Sequence, residues 1–151
     1  MVTEGNPAPD FSLPDETGTL RKLSDFHGMP VVLYFYPKDD TPGCTTEACD
    51  FRDSYRQYEN SGVVILGVSP DSPKSHSKFK AKYHLPFTLL SDEGHQVCEL
   101  YGVWGWKKFM GREYEGVLRT TFVIGSDWII RRVFPNVKPS GHSREVLASL
   151  G

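Results

Sequence analysis

Apolar residues recur along the chain at two different periods. Pro30–Pro37, PVVLYFYP, is an unbroken β-branched and aromatic run, which predicts a strand buried on both faces. Val63–Ser69, VVILGVS, repeats that pattern and predicts a second such strand. Between them, Cys44, Ala48, Phe51, Tyr55 and Tyr58 fall three or four positions apart, as on one face of a helix that Asn60-Ser61-Gly62 would end. Thr41 suits the N-cap of that helix, and Pro42 its first position, where a missing N–H is no loss. Further along, Pro73–Tyr83 predicts a polar, Lys-rich helix, FTLLSD a short strand and Gln96–Tyr101 a short helix. TTFVIG and WIIRRVF flank Gly125-Ser126-Asp127 and predict an antiparallel hairpin, and Ser143–Leu150 predicts a closing helix. Near the start, Phe11–Leu13 and Thr19–Leu23 alternate as the two arms of a small N-terminal β-hairpin.

Strands alternating with helices, with a hairpin late in the chain, predict an α/β fold around a central mixed sheet flanked by helices. The succession β-α-β then β-β-α, behind an N-terminal hairpin, is the thioredoxin-like layout. The 151 residues fit a single domain, residues 1–151. A chain of this size buries roughly 68–70% of its unfolded surface, so it needs no disulfide or structural metal to fold. With 38% hydrophobic and 24% charged residues it belongs with globular chains, not disordered ones. A net charge of −2, with both signs interspersed, offers no footprint for nucleic acid or an anionic membrane. The N-terminus lacks a basic stretch followed by an apolar run, and no segment approaches the ~20 apolar residues of a spanning helix. Three cysteines, two of them near neighbours, do not make a secreted disulfide scaffold. A soluble, cytoplasmic protein is expected, in which a disulfide would be catalytic, not structural.

Two of the cysteines, Cys44 and Cys49, lie in TPGCTTEAC. With Thr41 as N-cap, Cys44 sits in the first helical turn, where unpaired N–H groups and the helix dipole favour negative charge. A thiol so placed can have its pKa lowered from ~8.5 to between ~3.5 and 7.5. The buried strand before it would bring the thiol to the end of the sheet, where α/β sites form. Cys44 also belongs to the apolar stripe, so simple packing is the competing reading. On an ideal helix, residues five apart are offset ~7.5 Å along the axis and ~140° around it, which separates their Cα atoms by roughly 8–9 Å. A disulfide needs Cα atoms within ~7 Å. If Cys44 and Cys49 pair, the first turns must unwind; the alternative for Cys49 is a half-buried free thiol. Zinc would need four ligands, and only Cys98 and the scattered His27, His76, His84, His95 and His142 remain to complete the set, with no paired spacing. A Cys–His hydrolase would need a histidine that no motif places.

FYPKDDTPGCTTEACDFRD resembles the active-site signature of the peroxiredoxins, P-x-x-x-T-x-x-C, with Pro37, Thr41 and Cys44 in order. A second cysteine five positions after Thr-Pro-Gly-Cys is similar to the peroxiredoxin Q class, also called bacterioferritin comigratory proteins. GNPAPDFSLPDETG resembles the family's opening, GVSPDS its second core strand and turn, and LRTTFVIG the strand carrying its arginine, so the likeness covers most of the chain. It implies a thioredoxin fold and a thiol-dependent peroxidase acting on hydrogen peroxide and organic hydroperoxides. Cys44 would be the peroxidatic cysteine and Cys49 the resolving one. Thr41 would hydrogen-bond the peroxide and the thiolate, Pro37 would shield the pocket, and Arg119 would stabilise the thiolate and the departing oxygen. The implied cycle passes through a Cys44 sulfenic acid and an intramolecular disulfide, which thioredoxin or a similar dithiol reduces, with no metal or other cofactor. Because both cysteines lie on one chain, a monomer suffices.

The residues agree with that chemistry. Attack on an O–O bond needs a thiolate, and it needs donors aimed at the oxygen that gains charge. Arg119 offers a planar fork of such donors. Arg119 could instead make a weak surface ion pair, and Thr41 could simply cap, although a hydroxyl can serve both uses. Two other functions stay open: a peroxide sensor or relay that passes its disulfide to a partner protein, and an inert thioredoxin-fold binding module. Cys98, in HQVCELYG, is expected as a small buried residue, with a second resolving thiol as the alternative. Tyr101–Gly116 is aromatic, basic and Gly-rich and is expected to be a loop bordering the site. Trp106 within it departs from the charged residue that relatives tend to carry there; it could be a contact surface for a reductant or a loop anchor. Lys74, Lys78, Lys80 and Lys82 are expected on a solvated helix face.

Overall fold

A computed structural model describes residues 1–150. β1 (Ser12–Pro14) and β2 (Leu20–Lys22) pair antiparallel as the expected N-terminal hairpin. The main sheet is formed by β3 (Val31–Phe35), β4 (Val64–Ser69), β5 (Thr88–Ser91), β8 (Thr120–Ile124) and β9 (Ile130–Phe134), ordered β5-β4-β3-β8-β9. β3, β4 and β5 run parallel, while β8 and β9 join antiparallel, so the sheet is mixed as the element order implies. The helices are α1 (Pro42–Asp53), α2 (Tyr55–Asn60), α3 (Pro73–Tyr83), α4 (Gln96–Leu100) and α5 (His142–Leu150). This is the thioredoxin-like layout that the element order predicts. Among the described residues, no helix is long and apolar enough to cross a membrane.

All five residues of β3 are buried, because the strand is central and covered on both faces. Alternation along the strand separates two cores. Val31, Leu33 and Phe35 pack with Cys98, Tyr101 and Phe122, whereas Val32, Tyr34 and Tyr36 pack with Cys44, Ala48 and Phe51. Gly67 in β4 explains itself by close packing: a Cβ there would lie 2.9 Å from Leu89 Cδ2 and 3.0 Å from the Tyr34 ring.

Three expectations need correction. The single helix predicted up to Asn60 is two helices, broken at Ser54 (φ −98°, ψ 2°), whose N–H donates to the carbonyls of Asp50 and Arg52. The apolar face continues through buried Tyr58, so periodicity conceals the break. The predicted loop Tyr101–Gly116 instead holds β6 (Trp104–Phe109) and β7 (Arg112–Val117), an antiparallel ribbon outside the main sheet. Met110 and Gly111 form its two-residue turn with φ of 52° and 78°, the left-handed pair that a tight hairpin demands. Trp106 (70% exposed), Phe109 and Met110 (85%) project from it, so the burial pattern that announces a strand is missing. Finally, the lysine face of α3 is solvated at Lys74, Lys78 and Lys82 as expected, but Lys80 is half-buried and pairs with Glu16; exposed Lys82 pairs with Asp40 at 2.8 Å.

Candidate active site

The register of the central sheet builds the site. Phe35 at the end of β3 lies opposite Thr120 at the start of β8, so the residues after Phe35 and before Thr120 meet at one end of the sheet. From there the chain passes through half-buried Pro37 and a left-handed Asp40 (φ 56°) into α1. Thr41 takes the N-cap conformation (φ −101°, ψ 156°), and its carbonyl accepts the bond from the Thr45 N–H at 2.8 Å. Its hydroxyl does not cap; it donates to the Lys38 carbonyl at 2.8 Å. Pro42 is in the first turn, and Cys44 follows in that turn, 2% exposed.

Arg119 closes the constellation. Its Nη2 donates to Cys44 Sγ at 3.3 Å, and its Nη1 donates to Glu47 Oε1 at 2.6 Å. Gly43 allows this approach, since a Cβ there would stand 3.3 Å from Nη2 and 3.5 Å from Pro139. Burial opposes the Arg119 charge, but Glu47 and Cys44 outweigh it and hold the guanidinium protonated. For Glu47 the balance runs the other way. The carboxyl is 1% exposed, and its burial raises its pKa from 4.5 to about 7 although Arg119 pulls it down. Glu47 Oε2 and the Tyr34 hydroxyl are buried with no hydrogen-bond partner among the described residues. The Tyr34 pKa stands well above its usual value through burial, with the nearby Glu47 and Cys44 charges adding to it. The β6–β7 ribbon borders the site, as expected of that stretch. Lys107 Nζ donates to the Val117 carbonyl at 2.9 Å, and its pKa is pushed down by burial and by Arg119, against the pull of Cys44.

The structure thus brings Cys44, Thr41 and Arg119 together and sets Pro37 in the loop before them. Cys49 is held apart: it lies half-buried on the same unbroken helix, all three cysteines are free, and burial raises the Cys49 pKa. Cys98 belongs to the core on the opposite side of the sheet from Cys44. Its N–H donates to Asp92 Oδ2 at 2.8 Å, and burial together with Asp92 drives its thiol pKa upward. Sequence reasoning missed Glu47. The signal was present, because Cys44, Glu47, Ala48 and Phe51 fall at i, i+3, i+4 and i+7, which puts an acid on the apolar face.

Three comparisons bear on this geometry. The AhpC/TSA family model matches residues 4–133. The peroxiredoxin Bcp of Escherichia coli is 51% identical over 143 residues, spanning 95% of this chain and 92% of its own. A solved Xylella fastidiosa PrxQ, a cysteine-to-serine mutant, superposes with a TM-score of 0.94 at 36% identity, covering 99% of this chain and 96% of that one. The bacterioferritin comigratory protein of Xanthomonas campestris, whose structures concern its alkyl peroxide reduction activity, gives 0.87 at 38% identity over 93% and 89% of the two chains.

Proposed function

Since the chain belongs to the AhpC/TSA family and is a thiol-dependent peroxidase of the peroxiredoxin Q type, we propose that Cys44 is the thiol that attacks the peroxide and Cys49 the one that resolves it. The Arg119 fork spanning Cys44 Sγ and Glu47 Oε1 is the observation that carries this reading. Its Nη2, within hydrogen-bond distance of the sulfur, supports that reading as a counter-charge for a thiolate and for the departing oxygen. The thiolate displaces RO⁻ from ROOH and becomes a sulfenic acid; RO⁻ takes a proton and leaves as water or alcohol. Thr41 spends its proton on Lys38, so its oxygen offers lone pairs that accept the peroxide O–H. Pro37, half-buried beside this loop, screens the thiol from water.

Cys49 thiolate then displaces hydroxide from the sulfenic sulfur, which requires α1 to unwind between the two cysteines. A dithiol protein such as thioredoxin returns both to thiols by exchange, and its own two thiols become a disulfide in their place. A monomer suffices, because both thiols are on one chain. Free thiols that must be re-reduced at each turn suit a reducing compartment such as the cytoplasm.

Peroxide consumption with thioredoxin, thioredoxin reductase and NADPH tests the cycle, together with a mass-spectrometric disulfide map. Cys44→Ser should abolish consumption, and retained activity would sink the assignment. Cys49→Ser should let Cys44 become sulfenylated without forming the intramolecular bond. A Cys44–Cys98 link would overturn the role given to Cys49. Sulfenylation without turnover would instead make the protein a sensor that hands its disulfide to a partner.

A further inference from the structure

Away from Cys44, a second polar cluster is built on the segment that precedes it. The Asp39 carboxylate is buried and accepts three side-chain hydrogen bonds: from Tyr36 Oη at 2.6 Å, from Ser75 Oγ at 2.8 Å and from His76 Nδ1 at 2.7 Å. His76 is fully buried, and its Nε2 faces the Leu90 carbonyl at 2.9 Å. The His76 ring, itself on α3, is thereby pinned between Asp39 on one side and Leu90 on the other. The Asp39 N–H donates to Asp71 Oδ2 at 2.8 Å, and Ser69 Oγ donates to that same oxygen at 2.6 Å. Asp40 is held too, by Lys82 and by the Tyr83 hydroxyl, each at 2.8 Å.

The Asp39 N–H and the Lys38 carbonyl belong to one planar peptide unit. That unit has Asp71 at its N–H and the Thr41 hydroxyl at its oxygen. We propose that Asp39, Asp71 and His76 are positioning residues for peroxide: they fix the plane of the Lys38–Asp39 peptide and thereby aim the Thr41 hydroxyl, so that its oxygen can only accept. Without the clamp the peptide could rotate, and Thr41 would be free to cap α1 or to donate toward the thiolate. Asp39, Asp71 and His76 approach one another closely enough to suggest a cation site. The Asp39 oxygens, Asp71 Oδ2 and His76 Nδ1 are already engaged with one another and with Tyr36, Ser69 and Ser75, which makes the cluster a clamp.

This inference rests on Cys44 as the attacking thiol and Thr41 as the peroxide contact. The test uses the full chain with Cys49→Ser, so that the sulfenic acid persists and can be trapped with dimedone. Two rates are measured on Cys44: sulfenylation by hydrogen peroxide, which needs a peroxide aligned by Thr41, and alkylation by iodoacetamide, which needs the thiolate but no bond from Thr41. Asp71→Ala and His76→Leu should slow sulfenylation about tenfold or more while alkylation changes less than about twofold, since misplacement by ~1 Å can cost that much. His76→Asn, which keeps a donor toward Asp39, should recover most of the loss. An unchanged sulfenylation rate, or equal losses in both reactions, would overturn the clamp. Should His76→Leu fail to fold, half-buried Asp71 carries the test alone. If the chain with native Asp71 and His76 is alkylated at Cys44 but never sulfenylated there, the reading of Cys44 fails, and that outcome is distinct from failure of the clamp.

Discussion

Glu47→Gln puts the electrostatics of the site to a quantitative test. The substitution keeps size and shape and leaves an oxygen to accept from Arg119 Nη1. It removes the ability to ionise and puts an amide NH2 at the buried Oε2 position, a cost that does not vary with pH. In the folded chain, burial raises the Glu47 pKa from 4.5 to about 7 against the pull of Arg119. A carboxyl whose pKa is raised by folding favours the folded state most below its unfolded pKa. That advantage is lost as pH rises through the folded value. With ~1.4 kcal/mol per pKa unit, the rise corresponds to about 3 kcal/mol withdrawn between pH 4.5 and 7. The glutamine pays no such penalty. Urea unfolding of both proteins in the reduced state, followed from pH 5 to pH 8, isolates the effect, because all other titrating groups are shared. The stability of Glu47→Gln relative to the parent should climb by as much as ~3 kcal/mol across that range. A difference that stays flat with pH would refute the reasoning. It would mean that Arg119 keeps Glu47 ionised throughout and that the ion pair, not burial, governs the carboxyl.

Two further outcomes follow from the same contacts. Arg119→Lys keeps a positive charge but not a planar fork that can serve Cys44 Sγ and Glu47 Oε1 together. Stopped-flow oxidation of Cys44 by hydrogen peroxide should slow about 100-fold, and a rate within severalfold of the parent would show that charge alone suffices. Cys98 is fully buried, so iodoacetamide should label half-buried Cys49 in the native protein and reach Cys98 only in denaturant. Cys98→Ala should lower stability by about 1 kcal/mol and leave turnover nearly unchanged; prompt native labelling of Cys98 would contradict its placement.

How far the sequence could be followed depended on the kind of interaction involved. Val31–Phe35 and Val64–Ser69 were legible because strands buried on both faces need unbroken apolar runs. Helix α3 fell on its predicted bounds because Ser72 caps it, accepting from the Ser75 N–H, and Pro73 opens it. Cys44 and Arg119 could be named from their motifs, but their contact depends on the antiparallel register of β3 and β8, a long-range pairing that no local window contains. The Thr41 hydroxyl was equally hidden, since capping and donation to Lys38 use the same residue at the same place. The β6–β7 ribbon escaped because its side chains project into solvent from both strands, which erases the two-residue periodicity of burial.

If Cys49 resolves Cys44 as proposed, the placement of Glu47 between them also ties electron flow to proton flow. Any path that brings Cys49 to Cys44 unwinds the segment between them and carries Glu47 out of the site. Near pH 6 the buried carboxyl is mostly protonated, with its pKa raised to about 7, whereas in water it ionises. Forming the disulfide would then release a proton beyond those of the thiols themselves. The midpoint potential of the Cys44–Cys49 couple should therefore fall more steeply with pH below neutrality than two thiols alone require, and the excess slope should vanish in Glu47→Gln.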